Sequence, residues 1–156
     1  MRILLISDTH GNQTAVVKAY QAAGNVDTVI HLGDGAADGA LLATIASCPV
    51  VQVAGNCDPG STAPRELVCE WHNSRLLLCH GDRYGVKTGL SRLIERGLEN
   101  GVDAVLYGHT HLAQVEQRDG LWLINPGTLI QSAPFHSYAV LEINSDGLQA
   151  MIHPLV

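Results

Sequence analysis

Arg2-Ile-Leu-Leu-Ile-Ser7 is an apolar run without polar alternation, which suits a strand covered on both faces. Thr28–Leu32 and Pro49–Val53 repeat the pattern. Between them lie segments with helical character, about Gln13–Ala23 and Asp38–Ser47, the first opened by Asn12 as an N-cap and closed by Gly24. Strand, helix, strand, helix, strand predicts a parallel sheet with helices packed on it. The 156 residues fit one domain, 1–156, large enough to bury most of its apolar surface.

The second half changes character. Glu66–Trp71 and Arg75–Cys79 are split by His72-Asn73-Ser74, a hairpin signal. Val86–Glu99 reads as a helix stopped by Asn100-Gly101, and Ala104–Tyr107 as a strand. Leu112–Gln117 and Leu121–Ile124 flank Arg118-Asp119-Gly120, whose Asp-Gly favours a tight turn. Ser137–Ile143 and Leu148–His153 flank Asn144-Ser-Asp-Gly147 in the same way. The expectation is a single α/β domain with a parallel core and antiparallel additions.

The polar residues fall where the strands stop. The clusters are Ser7-Asp8-Thr9-His10-Gly11-Asn12, Gly33-Asp34-Gly35, Gly55-Asn56-Cys57-Asp58, His80-Gly81-Asp82 and Gly108-His109-Thr110-His111. In open α/β sheets, ligand sites lie beyond the carboxyl ends of the strands, so five such clusters would converge. Asp and His are ligands for divalent first-row metals. Asp8-x-His10 and His109-x-His111 would, in extended backbone, point both side chains the same way. The neighbouring Gly11, Gly33, Gly55, Gly81 and Gly108 are expected to supply unusual backbone angles.

Charge narrows the function. A formal net charge of −6 with only 9 Lys and Arg argues against duplex nucleic-acid binding. Aromatic content of 4% argues against a stacking platform for single strands. An acidic chain acting on phosphate needs positive charge from elsewhere, and bound metal ions would supply it. No export signal or membrane-length apolar run is seen, and Cys48, Cys57, Cys69 and Cys79 form no C-x-x-C pair. A cytoplasmic location with reduced thiols, and no membrane partner, is therefore expected. No G-x-x-x-x-G-K-[ST] is present, against a P-loop switch.

Taken together, Asp8-Thr-His10, Gly33-Asp34, Gly55-Asn56-Cys-Asp58, His80-Gly81 and Gly108-His-Thr-His111 resemble the signature blocks of the calcineurin-like metallophosphoesterases, and Asn125-Pro-Gly127 resembles a further loop of that family. The Gly-Asn-Cys-Asp wording and short length are similar to its small YfcE-type phosphodiesterase branch. The resemblance implies a four-layer α/β/β/α sandwich of two mixed sheets flanked by helices. It places Asp8, His10 and His111 on one divalent metal and Asn56, His80 and His109 on another, with Asp34 bridging. The implied activity is hydrolysis of phosphodiesters, phosphomonoesters also being open, by in-line attack of a hydroxide between the ions, with Asp34, Asn56 and His80 catalytic. Mn²⁺ suits the mixed donors better than Ca²⁺, and Mg²⁺, Ni²⁺, Zn²⁺ or Fe also fit. The partner is then a small phosphate ester; the sequence leaves oligomeric state open, a homodimer included.

Many family members carry His after the Asn of the Gly-Asn block, where it can protonate the leaving group; here the position is Cys57, a poor acid for that task. The alternative reading is a non-catalytic protein-binding scaffold on the same fold, as in the retromer subunit that resembles this family. Complete ligands argue against it.

Other polar residues have plainer readings. Asp58 is expected to orient a ligand histidine, and Asn12 to cap its helix or touch substrate. Asn125 and Cys57 are expected beside the site or the substrate. His31 reads as a core residue or one that supports the site from behind the ligands, and His72, His136 and His153 as surface or loop residues. Asp38 fits the first turn of a helix, Asp82 either supports the site or only makes a turn, and Arg83 is the basic residue nearest the motifs.

Overall fold

The computed structural model describes all 156 residues. In chain order the elements are β1 (Arg2–Ile6), α1 (Gln13–Ala23), β2 (Thr28–His31), α2 (Ala36–Ile45), β3 (Val50–Gln52), β4 (Glu66–Trp71) and β5 (Ser74–Cys79). After a 3₁₀ turn at Asp82–Tyr84 come α3 (Ser91–Glu99), β6 (Ala104–Leu106), β7 (Gln114–Arg118), β8 (Leu121–Asn125), β9 (His136–Asn144) and β10 (Gly147–Leu155). They form two five-stranded sheets, ordered β10-β9-β1-β2-β3 and β4-β5-β6-β8-β7. Each has three neighbouring parallel strands: β1, β2 and β3 in the first, and β5, β6 and β8 in the second. The antiparallel strands lie outside these.

Strand periodicity makes the layers. Ile3 and Leu5 of β1 join Leu76, Leu78, Leu106 and Ile124 of the second sheet in one buried cluster, so the sheets pack face to face. Leu4 and Ile6, facing the other way, pack with Ala15, Val16 and Ala19 of α1 and Leu42 of α2. Across the molecule, Leu77, Val105 and Leu123 pack against Leu93 of α3. The continuous apolar run of β1 is thereby explained: one face meets a sheet and the other meets helices. The fold is the expected four-layer sandwich of two mixed sheets flanked by helices.

Some boundaries differ from expectation. The helix expected from Val86 begins at Ser91, because Gly85 (φ 62°) and Gly89 (φ 156°) break the intervening segment. Val86 and Leu90 are buried nonetheless, so the four-residue apolar spacing is a loop's packing rather than a helix face. The second helix starts two residues before Asp38. His136 and His153 lie in strands rather than loops, and the His153 ring stacks on Tyr138 at 5.2 Å. The Asp119-Gly120 turn has positive φ at both residues (53° and 79°), the geometry its sequence favours.

Burial decides what a leucine is worth. Leu106 is fully buried between the sheets, whereas Leu98 on α3 is 53% exposed. Leu106→Ala is expected to lower unfolding free energy by about 2–5 kcal/mol. Leu98→Ala should change it by no more than about 0.5 kcal/mol. Urea denaturation of both variants checks the contrast.

Candidate metal centre

β1, β2 and β5 stop at one end of the sandwich, and the loops after them, joined by those after β3 and β6, bring the polar clusters together. Ligand-capable atoms of Asp8, His10 and His111 lie within 4.8 Å of one another, as do those of Asp34, His80 and His109. His10, Asp34 and Cys57 form a third such group, linking the first two. Six of the seven expected ligands thus converge. The seventh, Asn56, is exposed, and its amide donates to Cys57 Sγ at 3.4 Å rather than to the cluster.

The backbone does not converge in the expected way. Asp8 (φ 53°), His10 (44°), Asp34 (57°), His109 (67°) and His111 (62°) are left-handed, so neither D-x-H nor H-x-H is an extended segment. Asp and His tolerate this region better than most residues, but the conformation is costly and points to function. Gly11, Gly33 and Gly81 do have positive φ; Gly55 and Gly108 are needed for closeness instead. A Cβ on Gly55 would lie 2.0 Å from Asp34 Oδ1, and one on Gly108 would lie 2.0 Å from Ser7 Oγ.

Several hydrogen bonds hold these turns. The Asp8 backbone carbonyl accepts from Thr128 Oγ1 at 2.9 Å, and its side-chain Oδ2 accepts from Ser7 Oγ (2.6 Å) and the His109 amide (3.0 Å). Asp58 does not orient a histidine, contrary to expectation. Its Oδ2 accepts from the amides of Asp34 and Gly55 (2.7 and 2.8 Å), and its Oδ1 from those of Gly35 and Ala36 (2.9 and 2.8 Å). The carboxylate therefore clamps the Asp34 turn to the Gly55 turn, and these four amides hold its pKa low against the effect of burial. Asn125 is fully buried and does the same for the last cluster, donating to Gly108 O and Thr110 Oγ1, both at 3.0 Å. Asn12 caps α1 through the Ala15 amide (3.3 Å) and donates to Leu129 O (2.8 Å), which accounts for both ends of its side chain.

Two groups of residues support the site in ways that motif reading leaves open: it offers His31 and Asp82 as candidate supports but names neither Thr9 nor Arg65 as their partners. Gly33 N–H points to His31 Nδ1 (3.1 Å), so the proton of neutral His31 sits on Nε2 and is donated to Thr9 Oγ1 (3.0 Å). Thr9 in turn donates to Asp38 Oδ2, which also accepts from the Gly11 amide at 2.9 Å. Burial lowers the His31 pKa to about 4, keeping the ring neutral. Asp38 lies in the first turn of its helix as expected, but serves this buried link rather than only the dipole. Separately, Arg65 donates to Gly55 O and pairs with Asp82 at 2.6 Å. A histidine in an apolar strand, and a second carboxylate four residues after Asp34, were the available signals for the first group; a lone arginine after proline gave none for the second.

The charges fit a cation. Asp8 Oδ1 is buried without a hydrogen-bond partner, while His111, His80 and His10 bring Nε2 to 3.1, 3.9 and 4.0 Å from it. The Leu32 carbonyl can only accept, so His80 Nδ1 donates to it at 2.8 Å, leaving Nε2 facing Asp34 Oδ2 (3.2 Å) and His109 Nδ1 (3.2 Å). Burial opposes a charged His80, but Asp34 and Asp8 reverse that and raise its pKa. Burial likewise opposes a charged Asp34, yet the His80 bond and the Cys57 amide hold its carboxyl well below the usual range. His109 is pushed towards neutrality by burial and by His80, with Lys87 as the contributing cation rather than Arg83. Positive charge is wanted at the middle of the cluster, and nitrogen and oxygen donors face it: the donor set fits divalent metal ions.

Asp58→Asn tests the clamp. The amide nitrogen would confront two backbone donors, leaving them unsatisfied in a half-buried site. The expected cost is about 1–3 kcal/mol in urea unfolding. An unchanged midpoint would show that the four amides do not depend on the carboxylate.

Comparisons with known proteins agree with this arrangement. The family model described as calcineurin-like phosphoesterase superfamily domain matches residues 1–146. The Bacillus subtilis protein named probable metallophosphoesterase YsnB is 33% identical over 94% of this chain and 86% of its own length. Phosphodiesterase YfcE of Escherichia coli K12 is 29% identical over 83% and 79% of the two chains. The crystal structure of a conserved uncharacterized protein, a predicted phosphoesterase, from Streptococcus pneumoniae superposes with a TM-score of 0.83 at 25% identity, covering 98% of this chain and 88% of that one.

Proposed function

We propose, since the chain belongs to the calcineurin-like phosphoesterase superfamily, that it is a dinuclear metal-dependent phosphoesterase acting on phosphodiesters. The observation that carries this reading is the buried Asp8 Oδ1, which has no hydrogen donor yet faces three imidazole nitrogens. In this reading Asp8, His10 and His111 hold one ion, His80, His109 and Asn56 the other, and Asp34 serves both. Asn56 must then turn its side chain from Cys57 towards the cluster. The relatives named phosphodiesterase and metallophosphoesterase support the reaction class. Mn²⁺ is the proposed ion, because oxygen and imidazole donors suit it better than Ca²⁺.

Two divalent ions would supply charge neutralisation at the phosphoryl group and acidify an attacking water. The chain does the positioning. Leu32 fixes the His80 tautomer, Asp58 fixes the Asp34 turn, and Asn125 fixes the turn that carries His109 and His111. Elemental analysis of Mn²⁺-loaded, desalted protein is expected to give two ions per chain, and Asp34→Asn to lower both that figure and turnover sharply. One ion or none in folded wild-type protein would sink the two-metal reading.

The leaving group has no imidazole to protonate it at position 57. Cys57 is exposed, and its S–H is a weak donor. General acid catalysis usually contributes about 10²–10⁴-fold, more for basic leaving groups. Rates at fixed Mn²⁺ should therefore fall steeply from aryl to alkyl diesters. Equal rates, with chemistry limiting, would reveal a proton donor elsewhere.

A further inference from the structure

A groove of about 620 Å³ opens beside the centre. His111, Leu112, Ile130, Pro134, Phe135 and Ile152 are among the residues that line it. No Asp, Glu, Lys or Arg side chain contributes to the lining. The surrounding cavities differ: the one of about 330 Å³ carries Lys87 and Arg118, and the one of about 150 Å³ carries Arg65, Asp82, Arg83 and Arg96.

The groove is joined to the centre by two of its own lining residues. His111 brings Nε2 to 3.1 Å from Asp8 Oδ1, and Thr128 donates to the Asp8 carbonyl. Of the lining side chains Phe135 is 86% exposed and Leu112 70% exposed, two large apolar groups left in water along one cleft. Such exposure is costly unless something apolar covers them.

We infer that this groove receives the uncharged, aryl-sized organic group of the phosphate ester, with Phe135 and Leu112 as its specificity-determining residues. The inference rests on the phosphoesterase reading above, which puts the phosphate next to His111. A phosphodiester of an uncharged alcohol or phenol keeps its charge at phosphorus, so its organic group presents nothing that a groove without Asp, Glu, Lys or Arg must neutralise. The volume is that of a pocket for a small organic ligand, far more than a methyl group needs.

The test separates binding from turnover. Amide spectra of ¹⁵N-labelled, Mg²⁺-loaded protein are recorded with phenylphosphonate and with methylphosphonate. The phenyl ligand is expected to shift residues 111–113 and 128–136 and to bind about tenfold more tightly, the worth of a modest apolar contact. The double variant Leu112→Ser with Phe135→Ser should lose that difference. Both side chains are exposed and lie outside the buried clusters, so the variant should fold, as circular dichroism will show. With Mn²⁺ and bis(p-nitrophenyl) phosphate, its KM should rise about tenfold, by the same arithmetic. Equal affinity for the two phosphonates, or phenyl-induced shifts outside the groove, overturns the inference even if the diester is hydrolysed. Shifts in the groove without hydrolysis by wild-type protein uphold the groove as an aryl site and overturn the phosphoesterase reading instead.

Discussion

The centre depends on two carboxylates set among imidazoles with too few protons between them. Asp8 is fully buried and Asp34 nearly so. Both face His80 Nε2, at 3.9 and 3.2 Å, so their like charges repel in a poorly hydrated site, and burial opposes the charge on Asp34. The protein offsets part of this with amide and hydroxyl donors to Asp8 Oδ2 and Asp34 Oδ1. It leaves Asp8 Oδ1 and the inner nitrogen of His80 facing inward. A proton on His80 would answer the demand in part, and the divalent cations that the family implies would answer it further.

Backbone strain follows from the same demand. Five residues of the cluster are left-handed, a conformation that costs about 1 kcal/mol or more for a residue with a side chain. Such turns persist only where their surroundings over-determine them. Asp58 takes four amides, Asn125 joins three groups of two loops, and Thr128 and Leu129 both bind the Asp8 carbonyl. These residues act through the ligands' backbone, so their substitution should disturb geometry rather than remove a donor.

Much of this was legible in the sequence, and the failures have physical causes. Uninterrupted apolar runs identified strands covered on both faces, and polar clusters at their ends identified where chemistry gathers. Periodicity could not separate the Val86–Leu90 loop from a helix, because a loop lying on a sheet buries residues at the same spacing. Nor could spacing show that Asp8 and His10 meet through left-handed turns, since the strand-parity argument gives the same convergence with different backbone. The role of Asp58 was misassigned because a carboxylate beside histidines suggests an imidazole partner, whereas its partners are amides that every sequence contains. The face-to-face sheets came only from the family resemblance, since each strand's second apolar face is silent about what covers it.

The two sheets share the centre unevenly, and that division matters. Asp8, His10, Asp34 and Asn56 follow strands of the first sheet; His80, His109 and His111 follow strands of the second. The two trios that hold six of the seven expected ligands mix the sheets: Asp8 and His10 with His111, and Asp34 with His80 and His109; the linking group of His10, Asp34 and Cys57 belongs to the first sheet alone. Neither of those two trios can form within one sheet. The distance between the ligand halves is therefore set by how Ile3, Leu5, Leu78 and Leu106 pack between the sheets. Close-packed interiors transmit small displacements because they have little free volume to absorb them. Side chains buried between the sheets thus fix the spacing at which the proposed metal ligands meet, and the apolar alternation of β1 becomes part of the site's geometry as well as of the fold.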